Sequence, residues 1–272
     1  GSQLLDRPSG VLCKELEILD SLLISIAKSF ALPAGHALAI DRDLFSQEVT
    51  RKLSSHPNIK IVRQEVKTIP NCNAIIASGP LTSADLSNAI IQETGSENLF
   101  FFDAIAPIIE YDSINMAVAF RGSRYGRGTN PDGDYINCPF DKVTYESFIN
   151  NLISAERIEL QDFEKEITNG VKAGAGKFFE GCLPIEIMAQ RGIHTLAFGP
   201  LRPVGLTNPH NNKRPYAIAQ LRQDDIKGSL FNLVGFQTNL KYGEQERVFR
   251  LIPGLENAEF ERYGQMHRNT FI

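Results

Sequence analysis

The chain has 272 residues, 42% hydrophobic and 22% charged, with a net charge of −4; it is long enough for one large domain or two smaller ones, and its composition excludes a disordered or fibrous chain. No apolar run reaches the roughly 18 residues of a membrane span, the first residues form no signal peptide, and Cys13, Cys72, Cys138 and Cys182 form no CxxC pair, so no metal is expected and reduced thiols in a cytoplasm are the default. The net charge argues mildly against nucleic acid, but it is uneven: residues 1–176 carry 16 basic and 23 acidic side chains, whereas residues 191–250 carry nine and four, which is either a local basic face for RNA phosphates or scattered surface charge.

Apolar residues at helical spacing predict a helix over residues 11–30, stopped by Pro33 and Gly35. A second helix starts at Asp41 or Asp43 as cap and ends before Pro57. The alternation in IKIVRQEV, residues 59–66, predicts a half-buried strand. NAIIASGPLTSADL reads as a short strand, a Gly-Pro turn and a helix capped by Thr82 or Ser83, an arrangement that lets a cofactor approach, although most such turns hold nothing. LFFFDAIAPII and INMAVAF are apolar enough for buried strands. RGSRYGRGTNPDGDY, residues 121–135, is a long surface loop carrying Arg121, Arg124 and Arg127. DKVTYESFINNLISAERI is an amphipathic helix, and TNGVKAGAGK is small and flexible, with no Walker or dinucleotide pattern. Residues 215–223 and 229–238 form a hairpin through DDIKG, and YGEQERVFRLIPG is a short helix. The mixture of elements points to α/β with an α+β portion.

KFFEGCLPIEIMAQRG presents the sharpest chemical question. Pro184 suits a first helical turn, so a helix is expected just after Cys182, with the thiol near the positive end of its dipole. A thiol so placed becomes a nucleophile when its pKa falls, and a buried structural cysteine is the alternative. His267, in MHRNTFI, stacks on a flat ring, relays a proton, or is an ordinary surface histidine. Cys13 is read as core, and Cys72 and Cys138 as flanking turns. Asp103 and Asp224–Asp225 are candidate bases, the latter pair also expected in a hairpin turn.

Several long blocks together, FFEGCLPIEIMAQRG, FGPLRPVGLTNP, RPYAIAQLRQDDIKGSLFNLVGFQTNL and VFRLIPGLENAEFERYGQMHRNTFI, resemble the folate- and flavin-dependent tRNA (uracil-5-)-methyltransferase family, TrmFO, which is related to GidA. LPAGHALAIDRDLFS, ASGPLTS, FFDAIAPII and DYINCPFDK resemble it too, so the likeness covers nearly the whole chain. It implies an enzyme that reduces FAD with NAD(P)H and delivers a methylene group from methylenetetrahydrofolate, as a methyl, to carbon 5 of a uridine in the tRNA T-loop. By the same resemblance Cys182 is the thiolate nucleophile toward uracil, and Ser78, Gly79 and Pro80 with His267, Arg268 and Asn269 lie at the cofactors. Ser78 stands where the family usually has threonine. Arg121, Arg124, Arg127, Arg202 and Arg222 are the candidate RNA contacts.

The resemblance also implies a central fragment: a partial FAD/NAD(P)-binding, Rossmann-like domain over residues 1–95, an inserted α+β domain over 96–262, and a return into the FAD domain over 263–272. The family's N-terminal GxGxxG loop and C-terminal FAD segment have no counterpart here. Such a piece is expected to expose apolar surface and to be inactive by itself, with a cytoplasmic full-length enzyme. Three alternatives stand beside this reading: an RNA-binding module without chemistry, a ribosomal RNA uridine methyltransferase, and a GidA-like flavoprotein acting on the wobble uridine.

Overall fold

The computed structural model describes residues 2–79, 82–95, 99–158 and 183–271, with side chains left undescribed at 99–104 and 266–271. The N-terminal part is mostly helical. The helix expected over residues 11–30 is instead two, α1 (Pro8–Ile18) and α2 (Leu22–Ser29). The break falls at Asp20, whose φ of 55° no right-handed helix accommodates. Leu12, Ile18, Leu19 and Leu23 remain exposed, while Ile26 and Ala27 are buried. A short antiparallel pair, β1 (Ala31–Leu32) and β2 (Ala39–Ile40), follows. Asp41 then caps α3 (Arg42–Ser54), accepting the Leu44 N–H at 3.0 Å.

The two strands expected at residues 59–66 and 73–78 do not form. Both stretches are exposed and irregular, without a ladder partner among the described residues. Alternation makes a strand possible, but only a neighbouring edge satisfies its backbone. The helix after the Gly-Pro turn does form, as α4 (Ala84–Thr94), preceded by Ser83 and ended by Gly95 in the left-handed region.

The rest is built on a six-stranded antiparallel sheet. Its strands are β4 (Ile108–Glu110), β5 (Phe120–Gly122), β6 (Tyr135–Phe140), β7 (Ala217–Gln223), β8 (Leu230–Leu233) and β9 (Phe260–Arg262), in the order β5-β6-β7-β8-β4-β9. Alternation sorts its two faces. Ile136, Cys138, Phe140, Ala217, Ala219, Leu221, Phe231 and Leu233 point into the main core. Against them pack α5 (Lys142–Ser154), α6 (Ile185–Gln190) and α8 (Tyr242–Phe249), with the short α7 (Thr195–Phe198) beside them. Phe140, Phe148, Phe236 and Phe249 pack in tilted and edge-to-face pairs through this core, with ring centroids 5.4–6.2 Å apart. Each such fully buried ring contributes about 1.5–3 kcal/mol of burial free energy.

The other face mixes polar residues with a small buried apolar cluster of Phe120, Leu206 and Ile218. Asn137 and Gln220 are register partners, as are Tyr135 and Arg222, and Arg222 and Asn232. The N-terminal segment is tied to the loop after β5 and to the β7–β8 turn. Gly35 N–H donates to Asp134 Oδ2 at 2.5 Å, Ile226 N–H to Asp41 Oδ2 at 3.1 Å, and Arg42 pairs with Asp224 at 2.8 Å. Separately, β3 (Leu99–Ile105) and β10 (Gln265–Phe271) form a seven-pair antiparallel ladder.

Candidate functional site

Cys182 and Pro80 lie outside the described residues, so the site is built from what surrounds them. The helix expected after Cys182 is present: Pro184 precedes α6, and Ile185, Glu186 and Ala189 are buried. Its start is fixed by residues 237–240. Ile185 N–H donates to Gln237 O at 2.7 Å. Glu186, fully buried, accepts the Thr238 hydroxyl at 2.9 Å and the Asn239 N–H at 2.8 Å. Asn239 also holds Ile158, accepting its N–H at 2.9 Å and donating Nδ2–H to its carbonyl at 3.1 Å. Ile158 and Leu183 flank the segment that contains Cys182, so one short stretch, 237–240, anchors both of its flanks.

The same stretch reaches the other candidate strand. Buried Gln245 of α8 donates Nε2–H to Leu240 O at 2.8 Å and to Gly264 O at 2.9 Å, and accepts Gly264 N–H at 2.8 Å. Gly264 immediately precedes β10, which carries His267, Arg268 and Asn269; in the ladder these are opposite Asp103, Phe102 and Phe101. The anchor is thus a chain of buried hydrogen bonds from the helix after Cys182 to the start of the strand bearing His267. Buried polar groups satisfied in this way fix one arrangement, because breaking any link strands a partner.

Burial pushes the Glu186 carboxyl above its usual range, against the opposing pull of the Asn239 N–H and the Thr238 hydroxyl. An acid whose folded pKa is raised stabilises the fold below its unfolded pKa, and that stability is lost as pH rises through the folded pKa. Glu186→Gln should therefore keep the fold within about 1 kcal/mol at neutral pH and remove that pH-dependent loss, whereas Glu186→Ala strands two donors and leaves a cavity, costing about 2–4 kcal/mol. Urea midpoints between pH 4 and 8 check this; an equal loss in both variants would contradict it.

At the Gly-Pro turn, Ser78 Oγ and Thr82 Oγ1 lie 2.6 Å apart, and Thr82 donates to Gly79 O at 2.7 Å. Gly79 has a φ of +71°, and a Cβ placed there would meet no atom within 4 Å. The backbone is open above it, which fits the approach of a flat cofactor.

The five arginines do not share one role. Arg124 is held by the protein itself: Nη1–H donates to the carbonyls of Arg202 and Val204 at 2.7 and 2.8 Å, and Nε–H and Nη2–H to Gln220 Oε1 at 3.1 and 2.8 Å. It fastens two loops to β7. Arg121 lies over the rings of Tyr111 and Phe231, and Arg127 over Tyr125. Arg202 is exposed, and Arg222 is half-buried on β7 with an Nε–H that has no partner among the described residues.

Cys138, read from sequence as flanking a turn, sits inside β6 and is fully buried; burial pushes its thiol up and out of any reactive range. Cys13 is half-buried and Cys72 exposed. Among the described residues no three His, Cys, Asp or Glu side chains are grouped to hold a metal, and no helix is long and apolar enough to cross a membrane. Sequence reasoning missed Glu186, Gln245 and Asn239, whose partners are distant in the chain. It also missed Asp134, although the turn residues of NPDGDY signalled a carboxylate bonding its own loop.

Comparison with known proteins gives the family. A protein of Fusobacterium nucleatum named methylenetetrahydrofolate--tRNA-(uracil-5-)-methyltransferase TrmFO is 55% identical over 273 residues, covering 100% of this chain and 60% of the relative. Proteins of the same name from Desulfitobacterium hafniense and a Synechococcus strain are 52% and 55% identical, each covering 98% of this chain and 59% and 57% of theirs. The chain therefore spans less than two thirds of these relatives. The solved structure of Aquifex aeolicus GidA in its form I crystal shares the fold at a TM-score of 0.50 and 13% identity, over 86% of this chain and 43% of that one. The family described as glucose inhibited division protein A matches residues 4–272, and the chain belongs to it.

Proposed function

We propose that this chain is part of a cytoplasmic enzyme that uses methylenetetrahydrofolate, FAD and NAD(P)H to make 5-methyluridine in the T-loop of tRNA. The observation that carries this reading is 55% identity across the whole chain to a protein bearing that name. In this reading residues 1–95 and 263–272 belong to the FAD-binding part and residues 96–262 to the inserted domain, with the β3–β10 ladder joining them.

Carbon 5 of uracil is a poor nucleophile. Addition of the Cys182 thiolate to carbon 6 gives it enolate character, so it can bond to the methylene carbon. Loss of the carbon 5 proton and cleavage of the methylene–nitrogen bond, with the folate amine leaving, give an exocyclic methylene on carbon 5; a hydride equivalent added to that carbon and expulsion of the thiolate then restore the ring as 5-methyluracil. Reduced FAD, when bound, supplies the two electrons that turn the methylene into a methyl. Ser78, Gly79 and Pro80 would hold it at the Gly-Pro turn, and His267, Arg268 and Asn269 from β10. Arg121, Arg127, Arg202 and Arg222 are left to meet RNA, and Arg124 positions the loops that carry two of them.

The test is nucleoside mass spectrometry of unmethylated tRNA incubated with the full-length protein, methylenetetrahydrofolate, FAD and NAD(P)H. 5-Methyluridine in the T-loop is expected. Methylation of ribosomal RNA alone would assign the ribosomal branch, and no methylated uridine in either RNA would overturn the reading.

A further inference from the structure

A groove of about 550 Å³ opens on the surface between the turn after β6 and the loop leading into β7. Lys142, His210, Lys213 and Arg214 line it, with Tyr216 at its inner side, and Asp141 is the only acidic side chain in the lining. Asp141 is already engaged as the cap of α5, accepting the Thr144 N–H at 2.8 Å and its hydroxyl at 2.9 Å. Lys213 and Arg214 are exposed, and neither has an ion pair among the described residues. Elsewhere on this surface exposed bases commonly sit beside acids, as Arg51 does with Glu48 and Arg247 with Glu244.

The loop that presents these charges is stiff. Asn208 N–H donates to Lys213 O at 2.9 Å, Asn212 N–H to Asn208 O at 2.8 Å, and His210 N–H to Asn208 Oδ1 at 2.9 Å. Lys213 N–H donates to Asn211 Oδ1 at 2.9 Å, and His210 Nε2 lies 3.2 Å from Ala119 O, tying the loop to the far wall. Tyr216 is fixed through its hydroxyl, 2.9 Å from His194 Nδ1. A concave wall with two adjacent cations, unpaired among the described residues, on a preformed loop complements consecutive phosphates of a nucleic acid backbone.

We infer that this groove is a phosphate-binding track for RNA, with Lys213 and Arg214 as its principal contacts. The inference rests on the RNA reading of the chain and places part of the contact at residues distinct from the five arginines above. Such contacts neutralise phosphates and release counterions, so they weaken with salt and are insensitive to base sequence.

The experiment is fluorescence anisotropy of labelled unmodified tRNA transcript with the 272-residue protein, from 50 to 300 mM salt. The variants are Lys213→Gln/Arg214→Gln and, as a control of equal charge, Lys60→Gln/Arg63→Gln on an exposed stretch far along the chain. Neither Lys213 nor Arg214 has a side-chain partner among the described residues, so melting temperatures should match the parent. The groove variant is expected to bind roughly tenfold more weakly at 100 mM salt, with the log–log salt slope reduced by about 1 per removed phosphate contact, and the control within twofold of the parent. Equal weakening in both variants would assign the effect to net charge and overturn the inference. Unchanged binding by the groove variant would overturn it while leaving the RNA reading intact. Displacement by polyglutamate as readily as by RNA would assign the groove to an acidic protein, and no tRNA binding by the parent at 50 mM salt would overturn the groove inference, while methylation by the full-length protein decides the enzyme reading separately.

Discussion

Cys182→Ala, in the full-length protein, is expected to lose methyl transfer by at least about a thousand-fold, the scale on which removal of a covalent nucleophile is felt. Without addition at carbon 6, carbon 5 has no enolate character with which to meet the methylene carbon. Cys182→Ser should be nearly as poor, because a hydroxyl at neutral pH offers almost no anion. The loss should fall on the chemical step. RNA binding depends on cations elsewhere, so the affinity for tRNA should stay within twofold of the parent.

A second readout isolates the role. Methylation replaces the hydrogen on carbon 5, so tRNA labelled with tritium there releases it in proportion to turnover. The parent should release tritium and both variants should not. Cys182→Ala with full tritium release and full methylation would remove the nucleophile from this residue. The elements flanking Cys182 are held in place: Ile158 on one side and the start of α6 on the other are anchored to residues 237–240, and the same stretch connects through Gln245 to Gly264, just before β10.

What the sequence made legible was local chemistry. Of the two cap candidates at the second helix, Asp41 announces its start, because its carboxylate accepts a backbone N–H that the first turn leaves unsatisfied. Asp225 marks the β7–β8 turn, accepting the Ser229 and Leu230 N–H groups at 2.9 Å. Pro184 marked the helix after Cys182. What stayed hidden was pairing over distance. Residues 59–66 alternate as a strand should, but no described edge pairs with them. A left-handed Asp20 broke a helix whose apolar spacing ran through it. Arg124 read as a surface arginine because its acceptors, the Arg202 and Val204 carbonyls and Gln220, are remote in the chain. Cys182 and His267 came from whole blocks of resemblance rather than from local spacing, and the anchor that relates their neighbourhoods had no sequence signature.

Asp134 is expected to give the largest loss of stability of any single polar residue in the loop after β5. It is 2% exposed and gathers four donors: the N–H groups of Gly35 at 2.5 Å, Thr129 at 3.0 Å and Asn130 at 2.8 Å, and the Thr129 hydroxyl at 3.1 Å. Its own N–H donates to Ser123 Oγ at 2.9 Å. The turn that delivers it is tight: a Cβ on Gly133, where φ is +98°, would lie 2.3 Å from Gly122 Cα, so the loop and β5 approach as only glycine permits. Asp134→Ala strands these donors and releases the N-terminal segment at Gly35, at a cost of about 3–4 kcal/mol; Asp134→Asn keeps the volume but turns a donor toward donors, costing about 2–3 kcal/mol. Burial pushes this carboxyl up, but the Thr129, Asn130 and Gly35 N–H groups and the Thr129 hydroxyl outweigh it and hold it below its ordinary value. An acid whose folded pKa is depressed stabilises the fold above its unfolded pKa, and that stability is lost as pH falls through the folded pKa. The gap between parent and Asp134→Asn should therefore be full at pH 6 and should close as the pH drops below about 4, near the unfolded value. Urea unfolding of both proteins between pH 3 and 7 measures it. A gap that stays constant across that range would show that Asp134 acts through its shape and not through its charge. Glu186 runs the other way, its ionised form being disfavoured by burial, so the two substitutions should tilt the pH profile of stability in opposite directions.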